Sequence, residues 1–371
     1  MAIDYSVQYI LQYLLSLPVR MEPYFQLKMA SAWKPFPLLS LPPSSLNKVL
    51  QDLNCVDLID FSLLSKRCKR LVQKTNHRID GLELSVMAHN SMIVLKSGTV
   101  PLGFVDFQST VMYQSFSIRF FNQRQYMVCK IDNLYYCRNH VTGTLPLKPM
   151  SDFLMNLFRV SLQLSVISDG ISLQAVLKDF EKCEALTVSG MLCIGPEDMW
   201  WLMEKMKPNG RFTLGVRHYG YFLPPEVPLF FDVDHLEMLQ TAEWMTRNIF
   251  LRLFCKRIFL SYCHLKPLDF EHFVSQWYHS ERKSMEYLEV WHKTPPGVMN
   301  FQHLNPLVWD PWRRAQFYNR TPQNFIDCTH GIDIIRKDGS IATIIQTVSS
   351  FHFIVWKDRF PPFSGSLLNL Y

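Results

Sequence analysis

Twelve histidines and nine cysteines are the side chains of this chain best suited by type to hold a metal or act as nucleophiles. Their densest cluster is Cys255, Cys263, His264, His272 and His279. Zinc sites draw on short paired spacings such as Cys-x-x-Cys, and this cluster has none. Cys263 closes a β-like run, whereas His272 and His279 lie along a helical pattern. Cys328 and His330 are near enough in sequence for a nucleophile and its base, but no third orienting group or oxyanion-hole motif accompanies them. Gly195, Gly210, Gly215 and Gly220 form neither a Walker-type phosphate loop nor a dinucleotide-binding turn. Asn319-Arg320-Thr321 fits the glycosylation sequon, but Pro322 follows it and a reducing compartment would leave it unused. The sequence therefore supports no catalytic residue, no cofactor and no metal, and the chain reads as a non-enzyme.

What remains is recognition. The chain carries 27 Phe, 15 Tyr and 9 Trp, most of which must be core. Two aromatic stretches have loop composition: Tyr219–Phe231, with three prolines, and Trp309–Arg320. Trp, Tyr and Arg are the side chains that most often dominate binding interfaces. Trp309, Trp312, Arg313, Arg314 and Tyr318 are accordingly the candidate target-binding residues. The competing reading is a loop whose tryptophans tuck into the core.

Composition narrows the class further. At 371 residues the chain has room for two or three domains. A net charge of +6 is mild, and its one dense basic cluster, Lys66–Arg70, suits the negative end of a helix dipole, so nucleic acid is not an expected partner. An odd, scattered set of cysteines is the usage of reduced thiols, which points to the cytoplasm or nucleus. The apolar patch Tyr9–Val19 follows Asp4 without any Lys or Arg and is interrupted by Gln12, unlike a signal peptide. It reads as a short amphipathic helix over Tyr5–Leu17 or a loose extension, and Met29 would serve equally as a start. No run of 18 or more apolar residues occurs, so no membrane partner is expected.

The elements that must position these residues begin with 36–72, FPLLSLPPSSLNKVLQDLNCVDLIDFSLLSKRCKRLV. Its prolines enforce an extended lead-in, and Ser44 and Ser45 are N-cap candidates. Leu46, Val49, Leu50 and Leu53 then fall at i, i+3, i+4, i+7, one helical stripe. Asp57 can cap a further helix carrying Leu58, Phe61 and Leu64 and a basic tail ending at Leu71 and Val72. So short a segment buries too little surface to be more than marginal alone. Two core helices of an ordinary domain, or a docking element completed on a partner, both fit.

Leu41-Pro42, Leu46, Leu50, Leu53, Asp57-Leu58 and Leu64-Ser65-Lys66-Arg67 follow in the order in which the F-box family places them, and the segment resembles an F-box of three helices. The resemblance implies binding of a Skp-type linker protein through Leu41, Pro42, Leu46, Leu50, Leu53, Leu58 and Phe61. Through that linker it implies a cullin-based ubiquitin ligase.

Beyond this block the texture changes. Residues 81–138 alternate and are rich in β-formers, giving three to five antiparallel strands, and 149–164 carries a helical pattern. Short β runs then recur at 185–189, 211–216, 236–241, 257–262 and 287–291, with helical patterns at 196–207, 244–255 and 268–280. This spacing of about 20–30 residues is that of leucine-rich repeats, though the Asn/Cys ladder position is missing, so the region is leucine-rich-repeat-like. A plain α/β domain competes with that reading. Gly331–Trp356 reads as a hairpin around Lys337-Asp338-Gly339-Ser340, with Phe351–Trp356 as the third strand of a small sheet.

Asp333–Ile344, together with Phe273, Trp277 and Glu286-Tyr287-Leu288, is similar to the type-2 F-box-associated domain, which follows an F-box in a large nematode family of adaptors. The expected fold is α+β to α/β. It comprises an extension (1–34), a three-helix F-box (35–76), a β-rich segment (77–165), a leucine-rich-repeat-like domain ending in a β-hairpin (166–360) and a tail (361–371). The implied role is substrate recognition for an SCF-type ligase, with an unidentified target protein. A cullin-independent scaffold or binding module is the alternative.

Overall fold

The computed structural model describes residues 38–357 except 89, 109–115, 139–146, 181, 218–232, 241, 281–283, 294–296 and 322–323. The helix expected over Tyr5–Leu17, the stretch Tyr219–Phe231 and the tail 361–371 lie outside the described residues. Backbone contacts divide the chain into two units, residues 1–46 and 47–371.

In the first unit a 3-10 turn at Leu38–Ser40 leads to helix α1 (Pro43–Asp52), which runs on into the second. α1 starts at Pro43, whose missing N–H is one that a first helical turn leaves unpaired in any case. Ser44 and Ser45, expected as caps, therefore lie inside the helix. Asn54, not Asp57, caps α2 (Cys55–Leu64): its side chain accepts from the Asp57 N–H at 2.8 Å. Ser65 is extended (φ −166°) and accepts from Cys68 N–H at 3.0 Å, so the expected second helix is two, with α3 at Lys66–Lys74.

Six strands follow: β1 (Gly81–Val86), β2 (Asn90–Ser97), β3 (Val100–Gln108), β4 (Ser117–Phe121), β5 (Arg124–Ile131) and β6 (Leu134–Arg138). That is one more than the upper expectation, and β3 pairs with β6 in parallel. The reason is that β4–β5–β6 form their own meander, turned by left-handed Asn122 and Gln123 and by Asp132 (φ 46°, 67° and 49°), which returns β6 to the edge of β3. Helix α4 (Leu147–Phe158) stops six residues short of the expected end at 164. Arg159 takes up φ 56°, a left-handed terminus, and the next segment is strand β7 (Leu162–Ile167).

Helix α2 rests on this sheet, and α3 packs on α2 and α4. Asp57 and Asp60 of α2 both bind Lys130 of β5, and Arg119 Nε of β4 donates to Asp60 Oδ1 at 3.1 Å. A Cβ on Gly103 of β3 would lie 3.0 Å from Cys55 Cβ, a tight contact that glycine spares and that any other residue would relieve only by a small shift of α2. From α3, Lys69 lies over the Phe153 ring of α4 at 4.9 Å and Gln73 donates to Asn156 Oδ1 at 2.9 Å.

The leucine-rich-repeat-like region is a run of parallel neighbours: β7, β8 (Lys182–Ser189), β9 (Lys207–Gly215), β10 (His235–Met238), β11 (Arg257–Cys263) and β12 (Tyr287–His292). Helices α5 (Leu173–Leu177), α6 (Pro196–Lys205), α7 (Arg247–Phe250) and α8 (Pro267–His279) alternate with them. The helix expected over 244–255 is reduced to the single turn of α7, capped by Thr246. Cross-strand register aligns Leu164, Leu186, Phe212, Leu236, Ile258 and Leu288, and two residues on Val166, Val188, Leu214, Met238, Leu260 and Val290. All twelve are buried, each worth about 1.5–3 kcal/mol of apolar burial. These two ladders are why no single repeat is stable without its neighbours.

The expected hairpin is β16 (Ile332–Ile335) with β17 (Ile341–Gln346), turned at left-handed Gly339 (φ 84°). The third strand, β18 (Ser350–Trp356), pairs with β12 as well as with β17. The predicted small sheet is thus one end of a sheet of sixteen strands running from β13 (Leu307–Val308) to β4, and β7 carries it unbroken through residues 165–166. A separate two-stranded sheet, β14 (Phe317–Thr321) with β15 (Asn324–Asp327), packs on the open face of β11 and β12. Its Tyr318 stacks on Tyr287 at 5.4 Å, and its Arg320 pairs with Glu289 at 3.0 Å and lies over the Phe259 ring.

A buried ion pair ties this C-terminal region together. Arg314 donates from Nε to Asp333 Oδ1 at 2.7 Å and from Nη2 to the Cys328 carbonyl at 2.8 Å. Asp333 also accepts from Arg313 Nη1 at 3.0 Å and from Thr343 Oγ1 at 2.8 Å. Asp333→Asn should therefore lower unfolding free energy by about 3–5 kcal/mol in urea titrations, because it strands a buried guanidinium. Combining Asp333→Leu with Arg314→Met should recover part of that loss, since Arg313 keeps Asp310 at 3.6 Å and no fully buried charge is left unpaired. A second expectation concerns His292, whose ring meets Phe270 edge-on at 5.2 Å. Burial holds it neutral and pulls its pKa down to about 4, below the unfolded value of about 6.5. The unfolded chain binds the extra proton between those values, so stability is lost as pH falls through that window. Thermal melts at about pH 7 and about pH 5 should differ less for His292→Phe than for the wild type.

Candidate functional site

No metal-binding group of three or more His, Cys, Asp or Glu occurs among the described residues. The histidine–cysteine cluster is dispersed. Cys255 and Cys263 are buried, His264 lies 3.9 Å from Glu243, His272 meets Arg247, and His279 packs edge-on against Tyr278. Cys328 is enclosed in the core, burial pushes its thiol up to about 11, and its carbonyl serves Arg314. That is a structural cysteine, poorly suited to nucleophilic attack.

The surfaces that can act are interaction surfaces. Of the seven residues assigned to linker binding, Leu46, Leu50, Leu58 and Phe61 are buried within this chain, Leu41 and Leu53 are half-buried, and Pro42 is exposed. The stripe read from the sequence thus divides into residues that shape the helices and residues that still face outward. Leu39, Val49 and Leu64 are further exposed apolar side chains of the same segment, Leu64 at 74%. Their exposure has no signal in periodicity alone, because Val49 belongs to the same stripe as the buried Leu46 and Leu50.

The target-binding set divides in the same way. Trp312 is 70% exposed, whereas Arg314 is fully enclosed at 0% and is a core group with no side chain to offer a target. Arg313 is turned inward onto Asp333 and the Val308 carbonyl, Trp309 is half-buried, and Tyr318 is half-buried against Tyr287 and Trp356. The sequence reading missed Phe317 and Phe325, both exposed on the outward face of β14–β15. Strand alternation around the inward-facing Tyr318 and Ile326 is the signal that locates them.

The family described as F-box domain matches residues 38–80. Among curated proteins the chain is 25% identical to Uncharacterized protein F59B2.8 of Caenorhabditis elegans over 350 residues, covering 88% of this chain and 79% of that protein. It is 24% identical to Uncharacterized protein F59B2.9 of the same organism over 353 residues, covering 88% and 80%. Uncharacterized protein F54H12.5, also from Caenorhabditis elegans, is 25% identical over 90% of this chain and 96% of its own length. No solved structure matches the chain. The order of motifs from Leu41-Pro42 to Lys66-Arg67, the three helices α1–α3 and the family match agree: residues 38–80 are an F-box domain.

Proposed function

We propose that this chain is a substrate-recognition adaptor of an SCF-type ubiquitin ligase and carries out no bond chemistry itself. The observation that carries this reading is the F-box domain at residues 38–80, since F-box domains bind Skp-type linkers in such complexes. Among the described residues no helix is long and apolar enough to cross a membrane. In this reading the cytoplasm or nucleus houses the protein, and neither nucleic acid nor membrane is its partner. Leu41, Pro42 and Leu53 contact the linker, while Leu46, Leu50, Leu58 and Phe61 hold the helices in shape. Residues 166–360 act as a type-2 F-box-associated domain that holds a target protein, with Trp312 as its most accessible candidate anchor.

Co-purification of the full chain with a nematode Skp-type linker and cullin tests the first half. Wild type should retain both. Leu41→Ala, Pro42→Ala, Leu53→Ala together should lose both while far-UV circular dichroism stays unchanged. Retention of linker without cullin would favour the scaffold alternative, and retention of neither by folded wild type would sink the adaptor reading. For the target-binding end, Trp312→Ala is the variant to test, because Trp312 is 70% exposed whereas Arg313 and Arg314 are turned onto Asp333. Proximity labelling from the tagged chain should lose its strongest protein contacts in Trp312→Ala, by about tenfold for a hot-spot residue. An unchanged labelling profile would remove Trp312 from the target surface.

A further inference from the structure

Helix α3 carries a cationic side to which the apolar linker-binding residues give no role. At 100° per residue, Lys66, Arg67, Arg70 and Lys74 fall within one side of the helix. All four are exposed, and among the described residues none forms an ion pair. The opposite side is committed to the fold through buried Cys68 and Val72, and the edge beside Lys66 through Lys69 over Phe153 and Gln73 on Asn156. Nearby carboxylates are already engaged, Asp57 and Asp60 by Lys130 and Arg119, and Asp152 by Lys148. The helix dipole accounts for cations in the last turn only; Lys66 and Arg67 sit in the first turn, where the dipole disfavours them.

We infer that this cationic side of α3 is a second docking surface, which takes an acidic polypeptide segment. Charge complementarity identifies the partner's sign, and its length follows from the helix: Lys66 and Lys74 are eight residues apart, about 12 Å along the axis. Leu64, just ahead of the stripe at its N-terminal end, is largely exposed and supplies an apolar anchor beside the charges. That pairing favours a protein over the other polyanions. No aromatic side chain lies on the stripe to stack on bases, and one leucine is too little apolar surface to hold a membrane interface.

The test uses the full chain and a fluorescein-labelled twelve-residue peptide of glutamates with one central leucine, read by anisotropy in low and high salt. Wild type should bind at low salt and weaken about tenfold or more as salt rises toward physiological strength and beyond. Lys66→Glu, Arg67→Glu, Arg70→Glu, Lys74→Glu together should abolish binding, and the milder set of Gln substitutions at the same positions should weaken it with the melting temperature unchanged. Leu64→Ala should weaken it several-fold, and a peptide without the leucine should be insensitive to that change. Absence of wild-type binding at low salt, or equal binding by the Gln variant, would overturn the inference. So would tighter binding of a single-stranded oligonucleotide or of phosphatidylserine vesicles than of the peptide.

Discussion

The architecture depends on one parallel pairing, β1 with β7. Leu82–Val86 align with Leu162–Val166, segments separated by five further strands and a helix. On one side of that pairing lies the sheet that supports α2; on the other lies the parallel run that ends at the Arg314–Asp333 ion pair. Loop-closure entropy makes so distant a contact unfavourable until both sides are formed. The ladder of Leu84, Leu164 and their neighbours repays it with continuous apolar burial.

Local signals carried most of what could be read before the fold was known. The F-box order, the Lys337–Ser340 turn and the recurrence of strands all rest on short-range chemistry, and each reappears in three dimensions. Three features resisted. The break at Ser65 depends on that serine choosing to cap rather than continue a helix, a preference that the apolar stripe outweighs in a periodicity reading. The parallel β3–β6 contact is set by how a meander folds back, which pattern does not encode. The fate of β18 turns on β12 offering an edge, and nothing in Phe351–Trp356 distinguishes joining a large sheet from closing a small one.

The candidate sites show a sharper limit. Periodicity identified Leu46, Val49, Leu50 and Leu53 as one apolar stripe, but cannot say whether a stripe faces the protein's own core or a partner. Composition singled out Trp309–Arg320 for its arginines and tryptophans. Arg314 lies there because a buried Asp333 requires a counter-charge, and a sequence gives the two the same weight as a pair of surface ions. The dividing quantity in both cases is burial, which belongs to the assembled sheet.

Asp57 and Asp60 gripping Lys130 and Arg119, with Gly103 admitting Cys55, make α2 an outgrowth of the sheet and not a bead on a string. In the proposed adaptor role, such a joint would leave little freedom to swing a bound target. The lysines it could present to a charged enzyme would be selected by fixed geometry, as on a jig, and a target bound in a different pose would be held without being modified.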